Sequence, residues 1–463
     1  MRSAVSGVLG VALCLYTAGI AQAADGWYTE GDYAHSTRIK LTIVNTLDID
    51  RQSCPIVITR DELPLKDLME MGVTVVDPSL PARPMPSKEV LIRQDGHNIR
   101  EETNGQQLSY QMDDHDKDGV WDELFFQTDL KANERKTMYL YIGFNQRGWM
   151  EHGTHANIGS YCHHLMPFWE SAHVGWKLWY TDTCDVFGKR KGVLMSNLLY
   201  MKNLDGYGVS YISHDYGSDI QRVADSFGGG AICLFEVPSL PDSVSRPRFT
   251  PAEGKKVSPS TWNQGPLTDT RFAYEVVVNG PVRSMIRAKT MNWKSGGGFY
   301  ELEQLYTVYT NQSYSTCTVK FNKFLPLNDG VMFGCGIRKN GMEFASYQKG
   351  GIAITMGKDE LSDPDDPDGE RSYTVDFVGN AIVVKDEYKP QYRFVPSFSG
   401  NHTFRIPTTK DLAYEYMIFA AWNEGEVYNT PESFKEYVIK TAREYNNPAQ
   451  VRVEGVENKA VAK

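Results

Sequence analysis

Between Tyr211 and Arg222 the chain reads Tyr211-Ile212-Ser213-His214-Asp215-Tyr216-Gly217-Ser218-Asp219-Ile220-Gln221-Arg222, gathering imidazole, phenol, carboxylate and guanidinium groups in one short segment. In a strand, Ile212, His214 and Tyr216 would share a face, placing imidazole beside phenol. Those two groups can exchange protons with a substrate, and Arg222 can hold a carboxylate through two parallel hydrogen bonds. Ser226-Phe227-Gly228-Gly229-Gly230 then permits close backbone approach to a ligand, or simply a flexible turn. A second concentration lies upstream, where His152, His155, His163, His164 and His173 supply half of the chain's 10 histidines. Adjacent His163 and His164 would point to opposite strand faces, so one of them, His164, is a candidate base or carboxylate partner. His152 and His155 alone are too few ligands for zinc. Lys189 is a further candidate for neutralising a substrate carboxylate. Trp176 and Tyr180 could form a sugar platform, with core packing as the alternative use of the same rings, and Asp219 is grouped with them as a substrate contact.

Asp114, Asp116 and Asp118 fall at positions one, three and five of a calcium-type loop, Gly119 at six and Asp122 at nine. Phe125 occupies the twelfth position, where a bidentate glutamate is expected, and the flanks read as strands, so this is not an EF-hand. The expectation is a hairpin turn that could hold a structural calcium; no cofactor is required by the chemistry considered below.

Residues 1–23 read as a signal peptide: an arginine near the start, the apolar run Val8 to Tyr16, and Ala21-Gln22-Ala23 as a cleavage pattern. The expected location is periplasmic or secreted. A net charge of -10 speaks against nucleic acid or an anionic membrane surface as partner. An acidic small ligand fits only where basic residues converge. The remaining cysteines, Cys54, Cys162, Cys184, Cys233, Cys317 and Cys335, are irregularly spaced, and buried thiols suit them at least as well as bridges.

Positioning these groups falls mainly to strands. Arg38–Val44, Met138–Ile142, Tyr274–Val278 and Thr316–Phe321 alternate apolar and polar residues, with turns at Asp205-Gly206 and Asn328-Asp329-Gly330. The expected fold is mainly β: a small N-terminal β-sandwich over 24–148, a large antiparallel β supersandwich over 155–445, and a tail over 446–463. A short helix is expected around Asp61–Met71. Another should open at Thr430-Pro431, with Phe434, Tyr437, Val438, Thr441 and Tyr445 on one face.

Leu41 to Arg51, Gln111 to Leu124, Glu170 with Gly175 to Tyr180 and Asp185 to Lys189, and His214 to Gly230 occur in the order seen in a family described only as a domain of unknown function, and the chain resembles that family over most of its length. The family's members are exported bacterial proteins encoded beside polysaccharide-degrading enzymes, sometimes fused to unsaturated glucuronyl hydrolases. Gly280-Pro281-Val282-Arg283 through Lys320 also resembles the galactose-mutarotase-like supersandwich of polysaccharide lyases. The resemblance implies formation of a 4,5-unsaturated uronate from an acidic oligosaccharide, by a lyase expelling a sugar or a dehydratase expelling water. Either reaction needs a cation for the uronate carboxylate, a base at C5 and an acid at O4. His214, Tyr216 and Arg222 form the expected centre, supported by His164 and Lys189. The alternatives are a glycoside hydrolase using two of Glu170, Asp182, Asp185 and Asp219, or a carbohydrate-binding protein without catalysis. Oligomeric state is not legible.

Overall fold

The computed structural model describes residues 26–69, 72–87, 100–144, 150–161, 164–179, 182–196, 216–223, 226–247, 270–361, 373–396 and 399–460. The N-terminal part is built from strands β1 (Thr37–Val44), β2 (Arg51–Thr59), β3 (Val73–Asp77), β4 (Gln106–Gln107), β5 (Tyr110–Asp113), β6 (Glu123–Leu130) and β7 (Arg135–Ile142). Ile39, Leu41 and Ile43 of β1 alternate inward and meet Ile56 and Ile58 of β2 and Leu124 and Phe126 of β6 in one apolar core. The helix expected at Asp61–Met71 is only a 3-10 turn at Arg60–Glu62. Its Glu62 side chain folds back onto the Thr59 N–H, ending the turn before a helix can nucleate.

The larger part contains β8 (Thr154–Tyr161), β9 (His164–Ser171), β10 (Val174–Trp179), β11 (Thr183–Lys189), β12 (Gly217–Asp219), β13 (Ala231–Phe235), β14 (Arg271–Asn279), β15 (Arg283–Ser295), β16 (Gly298–Tyr309), β17 (Tyr314–Leu325), β18 (Met332–Arg338), β19 (Met342–Lys349), β20 (Ile352–Leu361), β21 (Tyr373–Val384), β22 (Gln391–Val395), β23 (Asn401–Ile406) and β24 (Ala413–Trp422). Eight of them form one antiparallel sheet in the order β14-β15-β16-β17-β24-β21-β20-β19. Facing it are two smaller sheets, β8-β9-β10-β11-β12 and β13-β18-β23-β22. Trp169, Trp176, Val186, Ile232, Tyr306, Phe333 and Tyr414 fill the space between these layers. Helix α1 (Pro431–Asn446) covers the other face of the large sheet, where Phe434 and Val438 meet Ile354, Met356 and Phe419. The helix begins as its sequence indicates: Thr430 accepts the Ser433 N–H and Pro431 takes the first helical position.

The residues expected as a tail instead return to the N-terminal sheet. Strand β25 (Gln450–Asn458) pairs antiparallel with β1, from Gln450 opposite Val44 to Asn458 opposite Thr37. All the described cysteines, Cys54, Cys184, Cys233, Cys317 and Cys335, are free and buried; Cys162 lies outside the described residues.

Candidate functional site

Strand alternation divides β9 to β12 into two faces. Trp169, Trp176, Leu178 and Val186 enter the interlayer core. Phe168 and Glu170, Lys177, Asp185, Phe187 and Lys189, and Asp219 belong to the opposite face. The register sets Lys177 opposite both Phe168 and Asp185, and Asp219 opposite Phe187. That outward face is itself covered: Glu170, Lys177, Asp185, Lys189 and Asp219 are all buried. Met195 and Tyr216 pack on Phe168 and Phe187, and Gly175 leaves the room taken by the Phe168 ring, which a Cβ would meet at 2.8 Å.

Burying five ionisable side chains together demands pairing. Lys177 Nζ lies 2.9 Å from Asp185 Oδ2. Glu170 accepts the N–H groups of Met195 and Ser196 at 2.7 Å each and pairs with Lys189. Lys189 also donates to the Val193 carbonyl at 3.1 Å. Burial pulls its ammonium below the usual lysine range, against the opposing charge of Glu170. Asp219 moves the other way. Burial, then the Asp185 charge, push its carboxyl well above the usual carboxylate range, although Lys177 and the Gln221 N–H at 3.1 Å oppose this. Such a carboxyl keeps its proton where most aspartates have lost theirs, which suits a general acid. His155, beside Ser196 and Glu170, is pulled below the ordinary histidine range by burial.

Beyond β12 the backbone is clamped. The Arg222 N–H donates to Asp359 Oδ2 at 3.1 Å, the Arg222 carbonyl accepts from Arg338 Nη1, and that same Nη1 lies 2.8 Å from Asp359 Oδ2. Arg222 itself is exposed, and its guanidinium makes no ion pair among the described residues. A hydrogen-bonded chain continues inward from Gln221: its Nε2 donates to Asn340 Oδ1 at 3.1 Å, and the Asn340 N–H to Thr355 Oγ1 at 3.1 Å. Thr355 donates to Glu343 at 2.6 Å, Glu343 lies 3.0 Å from His402 Nε2, and His402 Nδ1 lies 2.9 Å from the Tyr392 hydroxyl.

The structure thus brings Tyr216, Asp219, Arg222 and Lys189 to one region, with Glu170 and Asp185. Lys189 is committed to Glu170 rather than presented to a ligand. His164 opens β9 with its backbone opposite Tyr161. His214 and Tyr180 lie outside the described residues. Trp176 is no sugar platform: it is fully buried and stacks on Trp169 at 6.4 Å and 17°, because alternation turns it into the core. Lys177, Arg338 and Asp359 were not anticipated. The first stands in a strand buried on both faces, which hides the alternation that would mark it; the other two come from distant strands.

The acidic loop joins β5 to β6. One carboxylate oxygen each from Asp114, Asp116 and Asp122 falls within a 4.8 Å cluster that could hold a hard cation. Asp118, expected among the ligands, stands apart, its Oδ1 accepting the Val120 N–H at 2.7 Å. Slight desolvation would raise Asp114, yet the N–H groups of Gly119, Lys117 and Asp118 hold it below the usual carboxylate range. The hairpin is fastened to β15 by Arg283, which meets Asp113 at 2.5 Å and Glu123 at 2.7 Å.

A family model described as a domain of unknown function (DUF4861) matches residues 43–451. No curated protein matches. Among solved structures, an alpha-mannosidase from Enterococcus faecalis V583 is similar at 9% identity and a TM-score of 0.41, over 92% of this chain and 47% of that one. A glycosyl hydrolase family 38 protein from Enterococcus faecalis is similar at 9% identity and a TM-score of 0.39, over 92% and 48%. The chain spans about half the length of these proteins.

Proposed function

The chain belongs to the DUF4861 family, and because that description names no activity we propose one from the site: an exported carbon–oxygen lyase or dehydratase that forms a 4,5-unsaturated uronate at the end of an acidic oligosaccharide. The observation that carries this is the placement of an exposed guanidinium, Arg222, on a clamped backbone three residues from a buried carboxylic acid, Asp219. Arg222 would bind the uronate carboxylate in bidentate fashion, making the C5 proton more acidic. A base takes that proton, the C5–H electron pair becomes the C4=C5 bond, and the C4–O4 bond breaks. The leaving oxygen, of a sugar or of water, takes a proton from Asp219. His214, two positions before Tyr216 in the chain, is the base we propose, with Tyr216 beside the reacting carbons and His164 as a further carboxylate partner. The scheme uses side chains alone.

One observation favours a second activity on the same glycans, hydrolysis: Asp185 and Asp219 are neighbouring carboxyls, one in an ion pair and the other holding its proton. Incubating the full chain with saturated uronate oligosaccharides separates the two. Elimination produces the near-ultraviolet absorbance of a conjugated enoate, and Arg222→Gln should abolish that rise while the protein melts as before. New reducing ends without any rise in absorbance would establish hydrolysis instead; neither product with any of several uronate substrates would overturn both.

A further inference from the structure

The large sheet carries a second feature, on the layer opposite the site. Tyr300 and Leu302 of β16 point into the interlayer core, so Phe299 lies on the outward face. There a cleft of about 230 Å³ is lined by Arg271, Asn292, Lys294 and Phe299. Lys323 of β17 places its ammonium 4.1 Å from the Phe299 ring centroid, and it forms no ion pair among the described residues. Leu325, opposite Phe299 in the register, is 57% exposed and extends the apolar floor.

Two irregularities build this cleft. The β15–β16 register shifts between Thr290 and Trp293, and Asn292 within the shift adopts a left-handed φ of 56°. The β16–β17 register shifts between Glu301 and Leu302. Bulges re-aim side chains and recur beside binding sites, and a left-handed asparagine costs conformational energy that a plain ladder would avoid. Here they flank Phe299 on both sides. In a protein of net charge -10, three cations gathered round an aromatic ring and an amide form a local field of opposite sign. A sugar acid matches it: its ring offers an apolar face to Phe299 and Leu325, its carboxylate meets the cations, and its hydroxyls meet Asn292. The volume is below the roughly 300–1,000 Å³ of drug-sized pockets, which suits one sugar ring.

We propose that this cleft is a secondary binding site for an acidic sugar unit, holding the substrate chain at a distance from the reaction centre. The uronate identity of the ligand rests on the function proposed above; the preference for a carboxylate on an aromatic shelf does not. The test uses calorimetric titration of the full chain with tetragalacturonate and with its carboxyl-reduced, neutral counterpart, on a background of Arg222→Gln to remove binding at the reaction site. The acidic tetrasaccharide should bind and the neutral one should not. Arg271→Gln combined with Lys294→Gln should weaken binding about tenfold or more, as expected for the loss of charge-assisted hydrogen bonds, and Phe299→Ala should weaken it several-fold. With Arg222 intact, the Arg271→Gln/Lys294→Gln variant should turn over a disaccharide as the wild type does. Equal binding of the neutral tetrasaccharide, or unchanged affinity in the double variant at an unchanged melting temperature, overturns the proposal. If the wild type forms no unsaturated product but the carboxylate-dependent binding persists and responds to the variants, the reaction proposal falls and the cleft stands.

Discussion

A carboxyl group that keeps its proton has consequences for stability as well as for catalysis. Asp219 titrates above the ordinary carboxylate range because of burial first and the Asp185 charge second. The folded chain therefore holds a proton that the unfolded chain releases near pH 4. Asp219's contribution is fully present below that pH and is lost as pH rises through the higher folded value. Asp219→Asn removes the titration, so its melting temperature should exceed that of the wild type by a margin that grows with rising pH; calorimetry across the acid-to-neutral range checks this. A residual slope should remain, since Asp359 is also pushed upward, by burial against the opposing pull of Arg338. Activity should move the other way, kcat falling about a hundred- to ten-thousand-fold if Asp219 is the acid. Tyr216, Asp219 and Arg222 were legible because they lie in one short polar segment. Trp176 was misjudged because clustered aromatics do not reveal which strand face is covered, and Asp118 because calcium-type spacing does not show which carboxylates turn back to cap their own loop.

Elements decide which of these groups can move. Arg222 hangs from a backbone held by the Arg338–Asp359 pair at the ends of β18 and β20. Exposed Arg222 should tolerate glutamine at a stability change within about 0.5 kcal/mol, while KM for the uronate substrate rises. Asp359→Ala leaves Arg338 buried without its partner, which costs about 3–5 kcal/mol, and should raise KM too, because the segment carrying Arg222 is released. Denaturant titration beside steady-state kinetics distinguishes the two, and an Asp359→Ala variant as stable as the wild type would remove the clamp from this account. Helix α1 could be read from its cap and its apolar stripe. Strand β25 could not: it is an edge strand with a bulge at Val453/Gly455, and its partner lies at the other end of the chain. Truncation before Gln450 should uncover the edge of β1, lowering the melting temperature and promoting aggregation, as seen by light scattering.

At the scale of the whole molecule, the acidic hairpin matters first as a fastening. Arg283 is buried at the start of β15, between Asp113 and Glu123 and over the Phe125 ring at 4.4 Å. Gln111 accepts the N–H groups of Val282 and Arg283 at 3.0 and 2.9 Å. Arg287 donates to the His115 carbonyl at 2.7 Å. Farther along, Gln312 donates to the Gln52 and Ser53 carbonyls, and Arg51 to Asn447 after α1. With β25 on β1, these contacts join the N-terminal core to the larger one at three places, so the chain should unfold in a single cooperative transition. Arg283→Ala leaves Asp113 buried and unpaired, at a cost of about 3–5 kcal/mol, and removes the link between hairpin and large sheet. Calorimetry should then resolve two transitions, the earlier one belonging to the N-terminal strands, and an Arg283→Lys variant, which keeps the charge but not the fork, should recover only part of the loss. A single, unshifted transition in Arg283→Ala would show that the strand and helix contacts alone hold the two cores together.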